Sequence, residues 1–194
     1  MCGRYYVDEE TAKEIERIVR NLDKRFKAVP KYGEVCPTNN AMVLQNEKEQ
    51  PVLCNMFWGF PRNKGVHINA RSETALERRT FASSTKQRRC LIPARGFYEW
   101  DKTKNKVSFE RPDKQVMLLA GIWNTYSLEK RFTILTTAAN ESVKQVHNRM
   151  PLIMEPSEAE TWLLDDASVE FLLNKRPIEL CSVSGYVQQK LDLQ

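Results

Sequence analysis

The sequence predicts an α+β protein built on a mixed or antiparallel β core. Strand-like segments outnumber helix-like ones, and they come in runs with helices set beside them, unlike the regular strand and helix alternation of a parallel sheet. No G-x-G-x-x-G or phosphate-loop pattern exists among the seven glycines, which argues against a nucleotide-binding parallel sheet. The 194 residues contain no repeat and no linker-like stretch, so a single domain over 1–194 is expected, long enough to bury a sizeable core.

Taken in order, the elements start with a short strand over Gly3–Val7. Asp8 then caps a helix whose apolar residues Ala12, Ile15, Ile18, Val19 and Leu22 share one face, with Glu9 and Glu10 in the first turn where the helix dipole favours them. Met42–Gln45, Pro51–Trp58, Gln115–Trp123, Phe132–Ala138 and Ile178–Val187 are short, apolar, rich in β-branched and aromatic residues and bounded by turn formers, as strands are. The segment Ser72–Lys86 reads as helical. Ser157-Glu-Ala-Glu160 reads as a capping box opening a helix through Trp162 and Leu164, and Asp165 or Asp166 starts another through Phe171.

Composition narrows the class further. With 41% hydrophobic and 28% charged residues the chain is neither disordered nor fibrous, and no run approaches the ~18 apolar residues of a membrane helix. Acidic residues arrive early, at Glu9, Glu10, Glu14 and Glu16, where a signal peptide would be basic and then apolar, so an intracellular, cytoplasmic protein is expected. The five cysteines are odd in number and widely spaced, and neither His67 nor His147 has a second ligand at metal spacing. Reduced thiols and metal-free, cofactor-free chemistry follow as expectations.

The net charge of +5 is local. Between Pro61 and Arg95 nine bases (Arg62, Lys64, Arg71, Arg78, Arg79, Lys86, Arg88, Arg89, Arg95) face two acids (Glu73, Glu77), so this stretch carries +7 and the remainder −2. Such a cluster reads either as a phosphate-backbone surface or as a solvated face.

Four places carry candidate chemistry. Cys2 follows Met1 directly, so loss of the methionine would expose a 1,2-aminothiol. Model values of ~7.7–8.0 for the amine and ~8.5 for the thiol leave a useful minority of each nucleophilic at neutral pH. The amine can condense with an aldehyde and the thiol close the ring as a thiazolidine; alternatively the thiol acts as an acyl-transfer nucleophile, or Cys2 is simply a buried strand residue. His147, before the turn at Pro151, is the better proton handler, and His67 reads as structural. Glu99, between Tyr98 and Trp100, is a candidate acid or base, because apolar company raises a carboxyl pKa. Asn69 and Arg71 offer an amide to orient a substrate and a guanidinium to clasp a phosphate.

Together these segments resemble the SOS-response-associated peptidase family, also called abasic-site processing proteins. The resemblance rests on Met1-Cys-Gly-Arg4, Phe57-Trp-Gly59 leading into Ile68-Asn-Ala-Arg-Ser-Glu73, Pro93-Ala-Arg-Gly-Phe-Tyr-Glu-Trp100, and His147-Asn-Arg-Met-Pro151, and it runs from end to end. It implies a compact, largely β, barrel-like fold with flanking helices and a basic cleft for single-stranded DNA. It also implies a mature N-terminal cysteine that captures the ring-opened aldehyde of an abasic site as a thiazolidine crosslink, an activity of lyase and autopeptidase type that protects the lesion. In that reading Cys2 is the nucleophile, Asn69 holds the N-terminal residue and sugar, Glu99 assists proton transfer, and His147 protonates the opened sugar oxygen. Arg4 and Arg71 are phosphate clamps, Trp58 is a stacking or wedge residue, and Pro37 lies along the DNA path. The protein would associate with the nucleoid when bound to DNA.

The chain departs from the family's pattern at three places, one of them the short loop after Phe57-Trp-Gly59. Glu34-Val-Cys-Pro37 stands where an Asn-x-Ala-Pro segment is common, and Asn148 where aspartate is frequent. Two other classes of function remain at this point: a cysteine peptidase acting in trans, and a non-catalytic single-stranded DNA binder whose Cys2 is incidental.

Overall fold

The computed structural model describes residues 2–22 and 33–184, with the backbone alone for 16–22 and 184. Numbered in chain order, β3 (Asn40–Glu47), β4 (Gln50–Trp58), β8 (Arg89–Ala94), β11 (Met117–Tyr126) and β12 (Glu129–Ala138) form a closed barrel. Their order is β12-β4-β3-β8-β11, and β11 pairs back onto β12 to close the ring. Every barrel pairing is antiparallel except β4 with β12, which runs parallel through Arg131 to Phe57 and Phe132 to Trp58. The mixed β core expected from sequence is the one observed.

Three short strands extend the barrel. β7 (Asn69–Arg71) lies parallel on β12, β13 (Arg149–Pro151) lies antiparallel on the same strand, and β14 (Ile153–Met154) pairs with β11. A second, antiparallel sheet has the order β15-β10-β9-β1-β2, from Cys181–Ser184, Lys106–Glu110, Gly96–Trp100, Arg4–Val7 and Gly33–Val35. A small hairpin, β5 (Phe60–Pro61) with β6 (Val66–His67), completes the strands. The buried side chains of barrel and second sheet merge into one apolar core.

Two barrel hairpins run further than their composition suggests. β3 and β4 pair out to Glu47 and Gln50, and β11 and β12 out to Tyr126 and Glu129, so each turn has two residues. Lys48 and Glu49 have φ of 53° and 62°, Ser127 and Leu128 of 48° and 72°. These are left-handed positions that glycine and asparagine occupy most easily. Strand pairing on both sides holds ordinary residues there, and the usual turn signal is missing. Close approach demands glycine at Gly96 instead, where a Cβ would stand 2.4 Å from the Phe109 carbonyl oxygen of β10. Pro93 lies past the last β3–β8 pair, Leu44 with Leu91, where a strand can lack a donor.

The helices follow in α1 (Glu9–Leu22), α2 (Ala82–Gln87), α3 (Glu141–Lys144), α4 (Ala159–Leu164) and α5 (Val169–Leu173). Asp8 caps α1 as expected, its carboxylate accepting the Thr11 N–H at 2.7 Å, and Ala12 and Ile15 are buried; the side chains of Ile18, Val19 and Leu22 lie outside the described residues. The helix expected over Ser72–Lys86 is instead a 3-10 turn at Ser72–Thr74 and the separate α2, because Thr85 donates its hydroxyl to the Ala75 and Phe81 carbonyls and bends the chain locally. The capping box before α4 belongs to Glu155 and Glu158, with Pro156 between them, not to Ser157 and Glu160. β15 covers only Cys181–Ser184 of the strand expected over Ile178–Val187, since Asn140 takes the Pro177 and Ile178 carbonyls; residues 185–187 lie outside the described residues. Among the described residues no helix is long and apolar enough to cross a membrane. All five cysteines are free.

Candidate active site

Cys2 lies two residues ahead of β1 and is fully buried. Its thiol donates to the Arg4 carbonyl at 3.6 Å, and its own carbonyl accepts an N–H from Asn69 Nδ2 at 2.9 Å. Burial first, and the Glu99 charge second, push the thiol well above its ordinary range, because both oppose a thiolate. With Met1 still attached, the pocket around Cys2 thus favours the thiol over the thiolate.

Trp58 and β12 put Asn69 in place. β7 runs beside β12 with Asn69 opposite Ile134, whose N–H bonds the Ile68 carbonyl at 3.1 Å, and the Trp58 indole Nε1–H donates to that same carbonyl at 2.9 Å. The Trp58 main chain also binds the turn that carries Pro37, donating to the Asn39 carbonyl at 2.9 Å and accepting from the Thr38 N–H at 3.0 Å. Its ring is wholly buried, with centroids 5.4 Å from Tyr5 and 6.0 Å from Phe132. The expected stacking or wedge role of Trp58 is corrected accordingly, since no face of the ring reaches the surface. Gly59 follows at φ 132°, where a Cβ would meet Val66 at 2.7 Å, so Trp-Gly59 is a packing and turn motif here.

Glu99 reaches the same place from β9, where Phe97 and Glu99 turn inward while Tyr98 and Trp100 are half-buried. Its Oε1 stands 4.0 Å from Nδ1 of His147. The turn after α3 orients that ring: the His147 N–H bonds the Val143 carbonyl at 3.0 Å, and the Arg149 N–H points at Nδ1 at 3.0 Å. The Arg149 carbonyl oxygen stands 3.2 Å from the same Nδ1, so the Arg149 main chain holds this edge of the ring from both its N–H and its C=O. Cys2, Asn69, Glu99 and His147, from four separated motifs, thus converge.

Sequence reasoning missed the link that ties two of those motifs together. Arg149 grips Glu73 with both guanidinium nitrogens, at 2.5 and 2.8 Å, and donates to the Thr136 carbonyl at 2.6 Å. The available signal was an unassigned acid and an unassigned base in two of the motif segments, Ile68–Glu73 and His147–Pro151. Hydrogen bonding to Arg149 holds the Glu73 carboxyl below its ordinary value of 4.5. A depressed carboxyl stabilises the fold above pH 4.5 and ceases to do so as pH falls through its folded-state pKa. Thermal melts should therefore show wild type losing more stability than Glu73→Gln below pH 4.5; parallel curves would remove this pair from the acid response.

Around the site, Arg71 is exposed on β7 two residues beyond Asn69, the spacing that keeps both on one strand face. Pro37 is half-buried in its turn, and Arg4 opens β1, paired with Glu34 at 2.6 Å. The +7 stretch is only partly a surface. Arg89 is buried against the Trp162 carbonyl and Asp166, and Arg95 pairs with Asp8 and Glu110, whereas Arg62, Lys64, Arg71, Arg78, Arg79 and Lys86 are exposed. His67 packs edge-on against Phe81 at 5.6 Å, a structural setting. Among the described residues no cluster of three His, Cys, Asp or Glu could hold a metal ion.

The family model of SOS response associated peptidase (SRAP) matches residues 1–189. The chain belongs to that family. Among SRAP relatives, the abasic site processing protein YoqW of Bacillus subtilis is 32% identical over 182 residues, covering 84% of this chain and 80% of its own. YedK of Escherichia coli, an abasic site processing protein also, is 29% identical over 183 residues, covering 87% and 82%. Two crystal structures share the SRAP-like fold: a Bordetella bronchiseptica protein with a TM-score of 0.75 at 22% identity, covering 96% of this chain and 100% of that one, and a Bacteroides thetaiotaomicron protein with a TM-score of 0.73 at 22% identity, covering 89% and 86%.

Proposed function

We propose that this protein captures abasic sites in single-stranded DNA as a thiazolidine at Cys2 once Met1 is removed. The observation that carries this reading is the convergence of Cys2, Asn69, Glu99 and His147. The names of YoqW and YedK point to the same lesion. The continuous core of the described residues supports their working as one domain.

The ring-opened abasic sugar presents an aldehyde. The Cys2 α-amine adds to its carbon, water leaves, and a Schiff base results. The thiol sulfur then adds to that carbon while its proton passes to the nitrogen, so aminothiol and aldehyde yield a thiazolidine and one water. The raised thiol pKa favours this amine-first order, since an α-amine at ~7.7–8.0 gives up its proton sooner. Asn69 anchors the Cys2 carbonyl, and its Oδ1, buried without a hydrogen-bond partner among the described residues, is an acceptor for the α-amine. His147 supplies a proton to the opening sugar oxygen, and Glu99 moves protons at Cys2. Arg4 and Arg71 hold flanking phosphates, with Pro37 along the path. A peptidase acting in trans has no need of the basic Pro61–Arg95 stretch, of which Arg62, Lys64, Arg71, Arg78, Arg79 and Lys86 are exposed.

The test is a denaturing gel with intact mass spectrometry after mixing the protein with a single-stranded oligonucleotide bearing one abasic site. A slow-migrating, heat-stable species on protein lacking Met1 supports capture, and its absence although DNA is bound refutes it. Because the amine must be deprotonated while the sugar and carbonyl need acid, the capture rate should peak between mildly acidic and neutral pH. A rate rising steadily to high pH would remove the acid roles of Glu99 and His147.

A further inference from the structure

The geometry points to a phosphate seat formed by Arg4 and Lys106 that the chain's own Glu34 occupies when no DNA is bound. This rests on the DNA reading above. Glu34 gives one oxygen to each cation, Oε1 to Arg4 Nη1 at 2.6 Å and Oε2 to Lys106 Nζ at 2.6 Å. The two non-bridging oxygens of a phosphodiester would divide between them in the same way.

The seat is built without Glu34. Arg4 on β1 and Lys106 on β10 flank β9, opposite Tyr98 and Trp100 respectively. Each cation crosses to an aromatic face: Lys106 Nζ stands 3.6 Å from the Tyr98 ring centre, and Arg4 Cζ 5.4 Å from that of Trp100. These contacts keep both charges aimed at one point.

The carboxylate, by contrast, is replaceable. It comes from β2, a three-residue strand at the sheet edge, and the side chains of Arg4, Lys106 and Glu34 are 45%, 36% and 32% exposed. Ion pairs this open to water exchange at little cost. A phosphate and a carboxylate cannot share the two cations, so DNA must displace Glu34. The penalty falls on every phosphate, damaged strand or not. Glu34 therefore lowers residence on intact DNA and leaves retention to the covalent bond at Cys2, which is two residues from Arg4.

The experiment measures binding of an undamaged single-stranded oligothymidine by fluorescence anisotropy over a salt series, for wild type, Glu34→Gln, Lys106→Gln and the double variant, beside crosslinking to the abasic oligonucleotide. Glu34→Gln should bind about 3- to 10-fold tighter at low salt, with a log–log salt slope steeper by about 0.7 for one further phosphate neutralised. Lys106→Gln should weaken binding, and most of the Glu34→Gln gain should vanish in its background. Glu34→Gln binding no tighter than wild type, with or without a lower melting temperature, would make Glu34 a structural clip and overturn the inference while wild type still crosslinks. Wild type that neither binds nor crosslinks would overturn the DNA reading itself, and this inference with it.

Discussion

Cys2→Ala protein should form no covalent product with an abasic oligonucleotide, while its folding and its reversible DNA binding persist. The side chain removed is one small thiol, and the Asn69 bond to position 2 uses the main-chain carbonyl, which alanine keeps. The loss should be complete, because without sulfur the Schiff base has no internal partner and hydrolyses back. Cys2→Ser separates ring closure from amine attack: a borohydride-trapped adduct without a stable one would locate the defect at the second step. A Cys2→Ala protein that still yields a heat-stable adduct would exclude thiazolidine formation.

Trp58→Ala should have the largest effect on stability. Truncating a wholly buried tryptophan costs about 3–5 kcal/mol, and here it also strips the Ile68 carbonyl of its indole partner. Trp58→Phe keeps most of the bulk and loses the hydrogen bond, for about 1–3 kcal/mol. Denaturant unfolding reads both. The milder variant is the more informative, since Ile68 precedes Asn69: crosslinking should slow although position 58 is wholly buried. A surface wedge would give the opposite pattern, with unchanged unfolding midpoints and weakened DNA binding.

The four candidates that converge were legible as candidates because each is a residue type with chemistry to offer: an aminothiol precursor at Cys2, a carboxylate among aromatics at Glu99, a histidine before Pro151, and an amide at Asn69. The surroundings of Cys2 were not. Nothing near Cys2 in sequence announces that its thiol is buried beside Glu99, which lies far along the chain. Trp58 shows the same limit differently. Adjacent strand residues face opposite sides, so Phe57 and Trp58 point to different faces of β4, and composition does not say which face is the more deeply covered. The structure turns Trp58 inward and leaves Phe57 half-buried under Arg131, 4.3 Å from its ring centre. Arg89 and Arg95 count as charge in sequence and act as internal ties in the fold. The strand runs were legible, but the hairpins at Lys48-Glu49 and Ser127-Leu128 were not, because ordinary residues occupy turns that glycine and asparagine usually mark.

The pairing of β1 with β9 has a consequence for biosynthesis. Arg4 meets Tyr98, so the strand that carries Glu99 to Cys2 emerges from the ribosome only after about ninety further residues, and His147 later still. At roughly 5–20 residues per second, the amino-terminal segment spends on the order of 5–20 s without the neighbours that bury its thiol. An aminopeptidase working on the nascent chain has that interval in which to remove Met1 unhindered. Under the proposed function, which needs Met1 removed, the rate of synthesis would set how long that opening lasts.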